Sequence, residues 1–100
     1  MQIEFDPNKD RINLDKHGVS LALAAELHWD AALVWIDNRH DYGEDRILAL
    51  VPRGATLYYA AVVDRAGVRR VISLRRANRR EAKKYVEIVE QAFDPDSQRE

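Results

Sequence analysis

Two turn sequences divide the second half of the chain into strands, and they constrain its fold more than any other feature. Residues 52–55 (PRGA) and 64–67 (DRAG) combine the proline, glycine and aspartate that tight turns favour. The segments on either side, residues 46–51, 56–63 and 68–75, are rich in valine, isoleucine, leucine and tyrosine. Short connections between such segments produce antiparallel neighbours. The pattern therefore predicts an antiparallel meander of three strands.

The first third of the chain carries the signals of one strand and two helices. Apolar and charged side chains alternate in residues 3–5, which predicts a short first strand. Asp6 followed by Pro7 is typical of an N-cap and the first position of a helix. Ser20 can cap a second helix, in which alanine and leucine, both strong helix formers, predominate.

A further strand and a last helix complete the predicted fold. Residues 32–37 are mostly apolar and precede the meander. Asn78 and Glu81 have the spacing of a capping box, and apolar residues recur behind them at helical spacing. The predicted order is β-α-α-β-β-β-β-α, an α+β fold in which helices pack on one side of a small, mostly antiparallel sheet. We expect residues 1–93 to form one domain and residues 94–100 a disordered acidic tail.

The composition excludes several classes of site. The chain has no cysteine, which excludes disulfides, thiolate metal sites and a cysteine nucleophile. Its histidines, His17, His28 and His40, are too scattered for a metal site, and no glycine-rich phosphate loop is present. Neither a signal peptide nor an apolar run of ~20 residues is found. We therefore expect a cytoplasmic protein that needs no metal and no cofactor.

Charge is distributed very unevenly along the chain. Residues 1–52 hold five lysines and arginines against ten acidic residues, residues 53–84 hold ten against two, and residues 85–100 hold one against five. The central block is thus strongly basic, although the net charge of the whole chain is −1. Such a block attracts polyanions, and nucleic-acid phosphate is the partner that it favours.

The basic block spans the end of the last strand and the start of the last helix. Alternation predicts that one face of this strand carries Arg69, Val71, Ser73 and Arg75, and that the other carries Arg70, Ile72, Leu74 and Arg76. The helix continues the block with Arg79, Arg80, Lys83 and Lys84. Arginine forks match phosphate oxygens, and cations at a helix start are electrostatically unfavourable unless they serve a ligand. Phosphate binding is therefore favoured over the alternative of a merely solvated face.

The polar loop of residues 38–45 carries candidate catalytic groups. If the segment is extended, His40, Tyr42, Glu44 and Arg46 project on one side. RNA cleavage without a metal needs a base for the 2′-hydroxyl, a cation for the phosphorane and an acid for the leaving oxygen. Glu44 or His40, an arginine, and Tyr42 or a histidine supply these groups. The alternative is an ordinary polar loop, which spacing alone favours.

The first predicted helix presents a second basic face. Lys9, Asn13 and Lys16 lie at helical spacing and lead to His17 and Gly18. This face is either a solvated surface ending in a C-cap or a second basic contact for RNA opposite the arginines. The spacing supports both readings equally.

Three blocks of residues together resemble one known family. They are Asp6, Lys9, Asn13 and Lys16-His17-Gly18-Val19-Ser20; then Asp37, Arg39, Tyr42-Gly43-Glu44 and Arg46; then Arg70-Val71-Ile72-Ser73, Arg75-Arg76-Ala77, Glu81 and Tyr85. In order and spacing the chain resembles the BrnT toxins over residues 3–90. The resemblance implies a compact RelE-like ribonuclease fold and toxic endoribonuclease activity. It also implies a BrnA-like antitoxin with a ribbon-helix-helix DNA-binding part, and a complex that binds operator DNA and represses its own operon.

The sequence therefore predicts a toxin that cleaves RNA without a metal, the alternative being a non-catalytic nucleic-acid-binding or co-repressor subunit. The candidate catalytic residues are Glu44, His40, Arg46, Arg75, Arg76, Tyr42 and His17. The candidate RNA-binding residues are Lys9, Lys16, Arg69, Arg79, Arg80 and Lys83. The antitoxin is expected to cover the arginines and the two apolar sheet faces of residues 57–63.

Overall fold

The computed structural model describes residues 2–39 and 43–92, and it confirms an α+β fold. The five strands are β1 (Gln2–Glu4), β2 (Leu33–Asp37), β3 (Arg46–Arg53), β4 (Thr56–Arg65) and β5 (Val68–Arg76). The two α-helices are α1 (Pro7–His17) and α2 (Arg79–Ala92). The predicted second helix is a 3₁₀ helix, Leu21–Glu26, and a further 3₁₀ turn, Trp29–Ala31, follows it. The exact element order therefore differs from the predicted one.

The strands form one sheet in the order β1-β5-β4-β3-β2. The three pairs β2–β3, β3–β4 and β4–β5 are antiparallel, as the turn sequences predict. β1 pairs with β5 in parallel, so the sheet is mixed. Gly54 and Gly67 have φ values of 58° and 81° in the two turns, where a side chain would be strained.

One face of the sheet, here called the core face, holds the hydrophobic core. The strands contribute Ala49, Val51, Tyr58, Ala60, Val62, Val71 and Leu74, all of which are buried. The 3₁₀ helix Leu21–Glu26 covers them with Leu21 and Ala24, both fully buried. Ser20 caps this helix as predicted, since its hydroxyl accepts a hydrogen bond from the Ala22 amide at 3.1 Å.

Helix α1 supplies hydrogen bonds to the backbone of β5 beyond the residues that pair with β1. β1 reaches only to Arg70, which leaves the backbone of Leu74 on an open edge. The Asn13 amide fills that position: its Nδ2 donates to the Leu74 carbonyl at 2.7 Å, and its Oδ1 accepts from the Leu74 amide at 3.1 Å. Asn13 Nδ2 also donates to the Val19 carbonyl at 2.8 Å. The predicted polar face of α1 is thus partly structural.

A β-bulge corrects the predicted faces of the last strand. Ala61 of β4 pairs with Ser73, whereas Val62 pairs with Val71, so Ile72 has no partner on β4. The extra residue reverses the alternation beyond Val71. The core face carries Arg69, Val71, Leu74 and Arg76, and the opposite face carries Arg70, Ser73 and Arg75. The prediction that Arg69 and Val71 share a face with Ser73 and Arg75 was therefore wrong.

The face opposite the core face is here called the arginine face, defined by Arg46, Tyr59, Arg70 and Arg75. Helix α2 lies against this face, because Glu81 binds Arg75 and the Lys84 Nζ lies 5.7 Å from the centroid of the Trp35 ring. The 3₁₀ helix Leu21–Glu26 covers the core face. The prediction that the helices gather on one side of the sheet was therefore wrong.

The apolar surface of the molecule is not where the sequence predicts it. Residues 58 and 60–63 of the central strand β4 are all buried, so β4 offers no apolar face to a partner. The exposed large apolar side chains lie instead on α1, β2 and α2, and they are Ile12, Leu14, Val34, Trp35, Ile36, Val86 and Ile88. Within the described residues, no helix is long and apolar enough to cross a membrane.

Candidate functional site

Arg75 and Tyr59 form the centre of the arginine face. They are cross-strand partners on β5 and β4, and this pairing places both side chains on the same face. The Arg75 guanidinium carbon lies 4.4 Å from the centroid of the Tyr59 ring. A guanidinium stacked on an aromatic ring is restrained in its plane and keeps its charge. The pair is therefore a fixed cation on a half-buried surface.

Glu81 fixes the direction in which the Arg75 guanidinium points. Nη1 and Nη2 of Arg75 donate to the two Glu81 carboxylate oxygens at 2.9 and 2.8 Å, and Nη1 also donates to the Arg76 carbonyl at 3.2 Å. Of the five guanidinium N–H groups, these bonds leave the Nε–H and one Nη2–H. Those two groups form the side-on fork that matches a pair of phosphate oxygens. Arg75 is one-third exposed, so a ligand can reach it.

Glu81 is itself held by the cap of α2. The Asn78 amide donates to the Glu81 carboxylate at 2.9 Å, and the Glu81 amide donates to Asn78 Oδ1 at 2.8 Å. This is the predicted capping box. The hydrogen bond from Arg75 lowers the pKa of Glu81, which outweighs the effect of partial burial. The carboxylate is therefore ionised at neutral pH, and it ties α2 to β5.

The surroundings of Tyr59 favour the neutral form of its phenol. Burial is the main cause that raises the pKa of its phenol; the charges of Arg39 and Arg75 oppose the rise, and the carboxylates of Glu81 and Asp37 add to it. The Tyr59 hydroxyl therefore keeps its proton at physiological pH and can donate a hydrogen bond. The Trp35 ring meets the Tyr59 ring edge to face, with centroids 6.1 Å apart. An aromatic surface thus extends from Arg75 toward β2.

His17 is the last residue of α1, next to β5. Burial lowers the pKa of its imidazole, and the positive charges of Lys16 and Arg75 lower it further. His17 also lines a cavity of about 270 Å³. The walls of this cavity are Lys9, Ile12, Asn13, Lys16, His17, Ile72 and Ser73. An imidazole that is neutral at physiological pH can accept a proton, and Ser73 in the same cavity lies two residues before Arg75 on β5.

Arg46 and Glu44 lie at the other end of the arginine face. Arg46 of β3 pairs with Asp37 of β2. Leu50, the β3 residue that pairs with Tyr59, lies four residues farther along β3, which is roughly 13 Å from Arg46. Glu44 accepts a hydrogen bond from Arg65 Nε at 2.7 Å. That bond is the main cause that lowers the pKa of the Glu44 carboxyl. The structure therefore does not bring these residues together with Arg75.

Two more of the predicted arginines belong to the core face. Arg76 borders a cavity of about 350 Å³ next to the 3₁₀ helix Leu21–Glu26. Only 11% of the Arg69 side chain is exposed; it binds Asp64 at 2.6 Å and stacks on the Trp29 ring at 4.7 Å. The structure thus separates both residues from Arg75.

The remaining predicted residues divide into two groups. Arg79, Arg80 and Lys83 are exposed on the first turns of α2, the helix that carries Glu81. His40 and Tyr42 lie outside the described residues. Within residues 2–39 and 43–92, no group of three histidine, cysteine or acidic side chains is placed to hold a metal ion.

The sequence interpretation missed Tyr59 and the role of Glu81. Tyr59 follows Tyr58 directly in an apolar strand, and adjacent strand residues point to opposite faces. One tyrosine of such a pair must leave the core, which was a usable signal. Glu81 was recognised only as a capping residue, because its bond to Arg75 depends on how α2 docks against the sheet.

These positions fall within a region that matches a known family. Residues 5–81 match the family described as ribonuclease toxin, BrnT, of type II toxin-antitoxin system. The chain belongs to the BrnT family of toxins. The match includes His17, Tyr59, Arg75 and Glu81, so the candidate site lies in the part that defines membership. No curated protein shows significant similarity to the chain.

Family membership confirms the resemblance inferred from the three blocks of residues. BrnT proteins are described as the ribonuclease toxins of type II toxin-antitoxin systems. RNA as the substrate and an antitoxin as the partner follow from that description at the level of the family.

Proposed function

We propose that the chain is a metal-independent endoribonuclease toxin that cleaves RNA on the arginine face. The observation that carries the proposal is the orientation of Arg75. Glu81 and Tyr59 hold its guanidinium in place and leave the side-on fork open. The positive charge of Arg75 also contributes to the lowered pKa of His17. A cation, a proton acceptor and a proton donor are the groups that RNA cleavage requires.

The proposed reaction is attack of the 2′-hydroxyl on the adjacent phosphorus. His17 takes the proton of the 2′-hydroxyl as the oxygen–phosphorus bond forms. The Arg75 fork holds two non-bridging oxygens and stabilises the charge of the phosphorane. The bond to the 5′-oxygen then breaks, and the Tyr59 hydroxyl donates its proton to that oxygen. The products are a 2′,3′-cyclic phosphate and a 5′-hydroxyl.

The loop residues enter this proposal as alternatives. Glu44 is bonded to Arg65 and lies at the other end of the arginine face from Arg75, so we assign the base to His17. His40 remains the alternative base and Tyr42 the alternative proton donor. Arg46 contacts a phosphate farther along the RNA rather than the scissile one, as its distance from Arg75 along the face requires.

Basic residues on both sides of the site define the proposed path of the RNA. Lys9 and Lys16 line the cavity beside His17, and Arg79, Arg80 and Lys83 lie on α2 beyond Glu81. A strand of RNA that places its scissile phosphate at Arg75 has further phosphates within reach of both groups. Lysine contacts of this kind add affinity without sequence preference.

The proposal includes the regulation that the family implies. A BrnA-like antitoxin with a ribbon-helix-helix part neutralises the toxin, and the complex binds operator DNA and represses its own operon in the cytoplasm. We also infer a RelE-like relationship for the fold. The antiparallel meander β3–β5, with α1 against its edge, supports that inference, and comparison of an experimental structure with RelE-like ribonucleases tests it.

Growth of cells expressing the chain alone distinguishes a toxin from a binding module. A ribonuclease toxin arrests growth and leaves truncated messenger RNA, and co-expression of the antitoxin restores growth. Normal growth with intact RNA, from a protein that is folded and binds RNA, would instead identify a non-catalytic nucleic-acid-binding subunit.

A further inference from the structure

Strand β2 has the sequence of an interior strand but lies at the edge of the sheet. It begins Leu-Val-Trp-Ile, four apolar residues in succession, before Asp37. Alternation of apolar and polar residues is typical of a strand with one buried face, whereas a continuous apolar run is typical of a strand buried on both faces. Among the residues that the structure describes, β2 pairs only with β3.

The apolar side chains of β2 are therefore left in solvent on both faces. Val34 and Ile36 are 57% and 50% exposed on the core-face side, and Trp35 is 37% exposed on the arginine face. Natural edge strands are protected against pairing by charges, prolines or bulges, and residues 33–36 have none of these. The other edge strand, β1, has only three residues, and its Glu4 binds Arg70 at 3.3 Å.

A cavity of about 280 Å³ opens beside this edge, between β2 and α2. Its walls are Leu33, Val34, Trp35, Leu50, Lys84 and Ile88. They are apolar except for Lys84, whose ammonium lies over the Trp35 ring. A nucleobase would bury its polar edge here without hydrogen-bond partners. An apolar side chain with a carboxylate beside it fits both the cavity and its cation.

We propose that an extended segment of the antitoxin pairs with the open edge of β2 and turns it into an interior strand. The inference rests on the proposed toxin function. Apolar side chains of the segment cover Val34 and Ile36 on one side and fill the cavity at Trp35 on the other, and a carboxylate meets Lys84. Because the Trp35 ring contacts Tyr59, the bound segment lies next to the candidate catalytic centre.

The test compares two substitutions of equally exposed residues. Ile36→Lys puts a charge on the proposed interface, and Leu14→Lys puts the same charge on α1, where Leu14 is also 50% exposed. Binding to the cognate antitoxin is measured by calorimetry, and RNA cleavage by the free toxin is measured in parallel. We expect Ile36→Lys to raise Kd on the order of 10- to 100-fold, which corresponds to the binding free energy lost when one apolar side chain is no longer buried. Leu14→Lys should leave Kd unchanged. Both variants should cleave RNA as the wild type does.

Hydrogen exchange supplies a second readout that does not depend on a variant. The backbone amides of residues 33–37 should become protected when the antitoxin binds, while those of β1 stay as they are in the free toxin.

Several results would overturn the inference. Unchanged antitoxin affinity in Ile36→Lys is one, and an equal loss in Leu14→Lys is another. A wild-type dimer that Ile36→Lys makes monomeric, without loss of antitoxin affinity, would assign the edge to a second copy of the chain. Altered RNA cleavage with unchanged affinity would assign it to RNA. The amides of residues 33–37 could also be protected from hydrogen exchange in the free toxin. If deletion of residues 93–100 removes that protection, the edge of β2 is covered by the chain itself.

These failures are distinguishable from failure of the proposed function. A wild-type toxin that cleaves RNA and binds its antitoxin, yet gives any of the overturning results, refutes only the docking site. A wild-type protein that neither cleaves RNA nor binds an antitoxin refutes both.

Discussion

Arg75 is the residue on which the candidate site depends, because three neighbours determine its position. Tyr59 supports the plane of the guanidinium, and Glu81 and the Arg76 carbonyl occupy one side of it. The free side-on fork is thus a consequence of these contacts. A cation held in this way stabilises the charge that develops in the transition state more than a mobile cation does, because it need not reorganise during the reaction.

Replacement of Arg75 by lysine tests this dependence. Lysine keeps the charge but has neither the fork nor the planar stacking surface, so we expect RNA cleavage to fall on the order of 10²-fold or more. Arg53→Lys is the matched control, because Arg53 is also an ion-paired arginine but binds Glu26 of the 3₁₀ helix that covers the core face. Cleavage rates near the wild-type value in Arg75→Lys would contradict the assigned role.

The pH dependence of cleavage tests the role of His17. A base must be neutral to accept a proton, so activity should fall as pH decreases through the pKa of His17. Burial, Lys16 and Arg75 lower that pKa, which places the fall below pH 6.5, the ordinary value for histidine. His17→Gln should lower the plateau rate ~10²- to 10⁴-fold and remove the acidic limb of the profile. A profile that keeps its acidic limb in His17→Gln would identify another base, such as His40.

At the scale of elements, the bulge in β5 and the docking of the helices decide which side chains meet. Residue spacing predicted the strands, the turns and the capping box, because these depend on local sequence. It failed for Ser73 and Leu74, because the extra residue at Ile72 exists only in the pairing with β4. Because of that extra residue, Arg69 and Arg75 lie on opposite faces, although simple alternation puts them on one face.

The attachment of α1 to β5 depends on one side chain. Asn13→Ala leaves the amide and the carbonyl of Leu74 without their partner in a buried position, and each such loss costs about 1–3 kcal/mol. We expect the free energy of unfolding, measured by urea denaturation, to fall by roughly 2–6 kcal/mol. Asn8→Ala on the exposed side of the same helix should change it very little. Equal effects of the two substitutions would show that the Asn13 bonds do not stabilise the fold.

At the scale of the whole molecule, folding distributes the basic block of residues 53–84 over two faces. Arg69 and Arg76 lie on the core face, Arg70 and Arg75 lie on the arginine face, and the cations of α2 extend beyond them. The sequence predicted a basic surface but not this division. It did identify the family, because Lys16-His17-Gly18 and Arg75-Arg76 are local patterns that survive any change in register.

Cleavage of purified RNA in the presence of EDTA tests the central claim most directly. The wild-type toxin and Arg75→Lys, both shown to be folded by circular dichroism, are incubated with total RNA, and the new ends are sequenced and chemically typed. We predict cleavage by the wild type in EDTA, with 2′,3′-cyclic phosphate and 5′-hydroxyl ends, and a large loss of cleavage in Arg75→Lys. Intact RNA with the folded wild type, or cleavage that EDTA abolishes and Mg²⁺ restores, would contradict a metal-independent ribonuclease centred on Arg75.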